Sequence, residues 1–77
     1  MSLDEKESRK NIGGRLKESR TAAGKTQAEV AQLMRMTQQQ YSRFENGIFE
    51  LNYWQIVFLC KLYDISSDYL LGLEDFK

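Results

Sequence analysis

Residues 37–46, TQQQYSRFEN, concentrate side chains able to read a patterned polar surface. Wound at about 100° per residue, the segment places Tyr41 and Phe44 on one side. Gln39, Ser42, Arg43 and Asn46 fall on the other, with Gln38 at the flank. Amides, a hydroxyl and a guanidinium are the groups that recognise base edges in a DNA major groove. Gln pairs with adenine N6/N7, Arg with guanine O6/N7, and Ser with several partners. No carboxylate interrupts that outward side before Glu45, and a carboxylate there would repel phosphate. Any solvated helix presents a polar face. The run Gln38-Gln39-Gln40 beside Arg43, more than polarity itself, therefore points to nucleic acid.

Other chemistries have fewer residues to work with. The chain contains no histidine and one cysteine, Cys60. That composition assembles no Ser-His-Asp triad, no Cys-His pair and no zinc cluster. The expectation is a protein that is not an enzyme and that uses neither metal nor cofactor. Seventy-seven residues make one small domain, and 42% hydrophobic residues suffice for its core. With no separate ligand domain, no small-molecule effector is expected. No apolar run reaches the roughly 18 residues of a membrane span, and the polar start MSLDEKESRK does not read as a secretion signal. A cytoplasmic protein with no membrane partner is the corresponding expectation. The net charge is zero, but its distribution is uneven: residues 1–43 balance at +4 and residues 44–77 at −4. A fold that separates the halves would turn a basic side toward phosphate, whereas one that mixes them would give an ordinary solvated surface.

The elements that must position these groups are helices, because β-branched alternation is sparse and helical spacing recurs. Ile12, Leu16 and Ala23 form a first stripe that stops at Gly24, with Gly13 and Gly14 weakening its start. Thr26-Gln-Ala-Glu29 is a capping box that opens a short second helix carrying Val30, Ala31 and Met34. Thr37 caps a third helix that ends at Asn46-Gly47. Asn52 caps a fourth, with Ile56, Leu59, Cys60 and Tyr63 inward, and Ser66 or Ser67 starts a last short one ending at Gly72. The fold class is thus all-α, a compact five-helix bundle in which helices two and three form a helix-turn-helix. The expected organisation is a flexible N-terminal arm over 1–9, the domain over 10–73 and a tail over 74–77.

Residues 12–71 resemble the Cro/repressor-type helix-turn-helix domain, the lambda-repressor-like family of phage repressors and small bacterial regulators. The resemblance rests on Ile12-Gly13, Arg15-Leu16-Lys17-Glu18 before Arg20, and Gly24-x-Thr26-Gln27-x-Glu29-x-Ala31. It continues with Thr37-Gln38-Gln39, Glu45-Asn46-Gly47 and Asp68-Tyr69-Leu70-Leu71-Gly72. It implies that Gln38, Gln39, Ser42 and Arg43 read bases. It also implies that Gln27, Thr37, Gln40, Asn46 and Lys17 face phosphates, with Arg9, Lys10 and Arg15 as further electrostatic support. Arg20 and Glu45 occupy the positions of a partly buried ion pair that is structural in this family. The implied partner is double-stranded DNA bearing a palindromic operator, and the implied role is a phage-type repressor or a controller-like regulator of transcription.

Several positions depart from the family pattern. Arg35 replaces the usual glycine of the turn, which implies a strained residue, a different turn, or a side chain that reaches a phosphate. After Gly47 the family commonly has basic residues and proline, whereas this chain has Ile48-Phe49-Glu50-Leu51. Trp54 and Phe58 stand on the usually charged outer side of the fourth helix. Ile48, Phe49, Trp54 and Phe58 are therefore expected to form the interface of a homodimer, unless the aromatics fold back over the core. The same patch supports an alternative, a protein-interaction module such as an antitoxin-like or adaptor protein. Cys60 falls at a small-residue core position and reads as an inert thiol.

Overall fold

The computed structural model describes residues 4–74. Among these residues the chain forms helices α1 (Glu5–Ala22), α2 (Gln27–Leu33), α3 (Gln38–Glu45), α4 (Tyr53–Tyr63) and α5 (Ser67–Leu70), with no strand. Local chemistry fixes where each begins. Thr26, Thr37 and Asn52 each close a reciprocal capping box, with Glu29, Gln40 and Gln55 returning the bond to the cap's own N–H. The Ser66 hydroxyl accepts from Tyr69 N at 3.0 Å to start α5.

One boundary moves from the sequence expectation. Helix α1 begins at Glu5, inside the segment 1–9 assigned to an N-terminal arm. The Asp4 carboxylate caps it, and Glu5 and Glu7 in the first turn favour the positive helix end. Residues 1–3 of that arm, and residues 75–77 of the expected tail, lie outside the described residues. Ala23 is an exposed C-cap residue rather than a member of the inward stripe. On α1, Gly13, Leu16 and Ser19 are the buried residues.

The core gathers one or two residues from every helix. Leu16, Val30, Tyr41, Leu59 and Leu70 are fully enclosed, with Phe44 and Tyr63 close behind. Ile56, Cys60 and Phe58 pack against this cluster while remaining partly exposed. The Tyr41 and Tyr63 hydroxyls meet at 2.7 Å and satisfy each other in the interior.

Helices α1 and α3 cross at close quarters, and glycine makes that possible. A Cβ on Gly13 would overlap the Glu45 carbonyl and come within 2.7 Å of the Phe44 oxygen. Gly13, read from sequence as a weak point of a helix, is the place where two backbones touch.

Candidate nucleic-acid interface

Helix α3 presents the expected face. Gln38, Gln39, Gln40 and Asn46 are exposed, Ser42 and Arg43 half-buried, and Tyr41, Phe44 and Glu45 buried on the opposite side. Ser42 and Asn46 are tied together, the Asn46 amide donating to the Ser42 hydroxyl at 3.1 Å. Gln40 turns back to accept from Thr37 N at 3.0 Å, so its carbonyl serves the helix start and leaves the amide hydrogens outward. The Thr37 hydroxyl accepts from Gln40 N and retains its own hydrogen for donation. Gln38 and Gln39 lie free on the surface, one turn before Ser42 and Arg43.

The turn entering α3 carries the family departure. Arg35 adopts φ 58°, the left-handed conformation normally given to glycine. Its N–H donates to Gln32 O at 3.1 Å, and Met36 N donates to Ala31 O at 3.0 Å. These are the paired bonds of a Schellman C-cap. The turn therefore keeps its usual hydrogen bonding, and Arg35 takes on strain to do so.

The far end of α3 is held by an ion-pair network. Arg20 Nε donates to Glu45 Oε2 at 2.7 Å and Arg20 Nη2 to Oε1 at 3.2 Å, while Nη1 donates to the Lys25 carbonyl at 2.9 Å. The Glu45 side chain is only 1% exposed. Burial alone would raise its carboxyl pKa. Hydrogen bonds from Arg20, Gln27 and Tyr41, together with the Arg20 charge, outweigh burial and hold it below the usual carboxylate range. Burial first, then the neighbouring hydroxyl and carboxylate, push the Tyr41 phenol well above its ordinary value. Burial dominates at Tyr63 and pushes it up to about 12.

This network contains Gln27. Its amide donates to Glu45 Oε1 at 3.0 Å, placing a residue expected at a phosphate inside the scaffold joining α1, α2 and α3. The sequence could not reveal that engagement, because residues 27 and 45 meet only in three dimensions.

The basic residues of α1 divide between two tasks. Arg9 reaches the α3–α4 loop, donating to Gly47 O at 3.4 Å and pairing with Glu5 and Glu50. Arg15 stacks over Tyr69 with its guanidinium 4.8 Å from the ring centre. Both arginines are thereby occupied by the protein itself. Lys10 and Lys17 are exposed, and helical spacing sets them beside Gly13, the α1 residue that meets α3. Lys10 lies closest to the site, since a Cβ on Gly47 would come within 2.8 Å of the Lys10 Cα.

The apolar residues beyond α3 remain outside. Ile48, Phe49 and Trp54 are about half exposed or more, at 60%, 46% and 54%. Phe58 is half-buried and packs against the core, with Trp54 stacked on it at 5.6 Å between ring centres. Tyr53 and Val57 extend the exposed surface of α4, at 84% and 50%, and were absent from the expected set. Helical spacing from Trp54 and from the inward Leu59 could have supplied both. Cys60 is partly buried, and burial pushes its thiol pKa up, away from reactivity.

Among the described residues no His, Cys, Asp and Glu group could hold a metal ion, and no helix is long and apolar enough to cross a membrane. Comparison with known proteins matches residues 11–70 to the helix-turn-helix domain family. The chain is also 35% identical over 65 residues to the HTH-type transcriptional regulator ImmR of Bacillus subtilis (strain 168). That alignment covers 84% of this chain and 51% of the relative, so the chain spans about half the relative's length. The α2–turn–α3 geometry, the capped helices and the extent of the family match agree: the chain belongs to the helix-turn-helix domain family.

Proposed function

We propose that the protein binds double-stranded DNA sequence-specifically, as a small dimeric regulator of transcription of the Cro/repressor type. In this reading α3 lies in the major groove. The observation that carries it is the face of α3, where exposed Gln38 and Gln39 precede half-buried Ser42 and Arg43 on a helix anchored through Glu45. The similarity to a transcriptional regulator supports the same reading. Gln38, Gln39, Ser42 and Arg43 read base edges. Thr37, Gln40, Asn46, Lys17 and the second amide hydrogen of Gln27 face phosphates and set register.

One recognition helix covers only a few base pairs, so a homodimer on a palindromic operator is the natural assembly. It would set the two helices about 34–36 Å apart along one side of the duplex. The exposed apolar residues Ile48, Phe49 and Trp54, with Phe58 beneath, supply its contact surface. The same exposed aromatics favour a second reading, an adaptor or antitoxin-like module that uses the patch on a different protein. A cytoplasmic repressor or controller is the cellular role that fits the first reading.

Selection of bound duplexes from a randomised pool tests it. A palindromic consensus, lost when Gln38, Gln39 and Arg43 are replaced together by Ala, is the expected result. No enrichment with the parent protein would overturn it. Sedimentation at micromolar concentration separates the two readings: the first expects a dimer that Trp54→Ala dissociates, the second a monomer.

A further inference from the structure

The loop after α3 holds a feature that base reading by itself does not use. The Arg43 guanidinium carbon lies 5.3 Å from the centre of the Phe49 ring. The backbone reinforces the contact, because Ile48 N and Phe49 N both donate to the Arg43 carbonyl, at 2.9 and 3.3 Å. The Arg43 carbonyl and guanidinium are thus both tied to one loop. A guanidinium donates in its own plane and stacks through its face. An aromatic ring against the guanidinium restrains the side chain without using up any of its N–H donors. Arg43 is otherwise a long side chain with several rotatable bonds, and ordering it on binding would consume affinity.

We infer that Phe49 is a positioning residue for Arg43, fixing the guanidinium in the orientation that reads a base. This deepens the proposed function and rests on its assignment of Arg43 to base reading. It gives the 46% exposed Phe49 ring a task on the DNA side of the loop as well as in assembly. A cation–π contact at an exposed site corresponds to about a two- to fivefold effect on binding.

The test compares relative affinities for a duplex taken from the randomised-pool selection and for single-base-pair variants of it. Ratios cancel any uniform loss caused by weaker assembly. The profile of Arg43→Ala identifies the base pair that Arg43 reads. Phe49→Leu keeps an apolar side chain but removes the π face, and should lower discrimination at that base pair about two- to fivefold. Discrimination elsewhere should be retained, and Phe49→Tyr should restore the parent profile. Parent-like discrimination in Phe49→Leu would overturn the inference and leave base reading by Arg43 intact, as would an even loss at every base pair. An Arg43→Ala profile identical to the parent's would remove the base-reading assignment itself, and the role of Phe49 with it.

Discussion

The two ends of α3 are built on different principles. At its start, Arg35 and Thr37 stand in solvent, and the helix entry depends on local hydrogen bonds within a few residues. At its end, Glu45 is enclosed by Arg20 and Gln27, Gly13 abuts the Glu45 carbonyl, and Gly47 lies against Lys10. Both turns use the same Schellman bonding: Gly47 N donates to Phe44 O and Ile48 N to Arg43 O, as Arg35 and Met36 do after α2. Both residues at the left-handed position have positive φ, 58° at Arg35 and 72° at Gly47. Arginine occupies one because solvent surrounds it. Only glycine suits the other, where a Cβ would meet another helix's backbone. Identical local geometry thus carries opposite tolerance, set by what lies across the gap.

The largest expected effect tests the anchored end. Arg20→Ala removes the bidentate partner of a buried carboxylate and should lower stability by about 3–5 kcal/mol, read by thermal or urea unfolding. The acid limb provides an independent reading of the same contact. Because the fold lowers the Glu45 pKa, its stabilisation is complete above the unfolded carboxylate value of about 4.3 and is lost as pH falls through the lower native value. Melting temperature should therefore depend less steeply on pH below about 4.3 in Arg20→Ala than in the parent. An unchanged acid limb would place the linkage on other carboxylates.

Gly47→Ala comes next, combining left-handed strain of about 1–2 kcal/mol with an overlap against Lys10. Its melting point should fall well below the parent's. A tolerated alanine there would erase the contrast between the two ends. Thr37→Ala tests the locally built end and should destabilise by about 1 kcal/mol through loss of one cap. The smallest effect has the opposite sign. Arg35→Gly should stabilise by up to about 1 kcal/mol, since relief of strain exceeds the added freedom of the unfolded chain. Destabilisation would mean that the arginine side chain makes a contact which offsets its backbone strain.

What could be read from sequence divides along the same line. The starts of α2, α3 and α4 follow from Thr26, Thr37 and Asn52, because caps act over about three residues. The polar face of α3 follows from helical spacing alone, and the Arg20–Glu45 pair from family resemblance. Apolar spacing, which begins only at Ile12, leaves the start of α1 open, although Asp4 with Glu5 and Glu7 carries the electrostatic signal of a helix start. Long-range contacts were not legible. Nothing around Gly13 announces that Glu45 lies against it, and nothing around Tyr41 announces the Tyr63 hydroxyl. The family resemblance implies a phosphate contact for Gln27, yet its amide turns toward a carboxylate 18 residues away.

Trp54 is the sole tryptophan of the chain, and it stands about half exposed on α4 rather than in the core. Its emission consequently reports the polarity of that outer surface and, through the stack on Phe58, the packing of α4 on the core. Unfolding would separate the indole from Phe58 and hydrate its covered half, moving the emission toward the red. Covering the same surface with another polypeptide would dry it and shift its emission toward the blue. One indole would thus shift in opposite directions for the two events, to the red on unfolding and to the blue if a polypeptide covered that face.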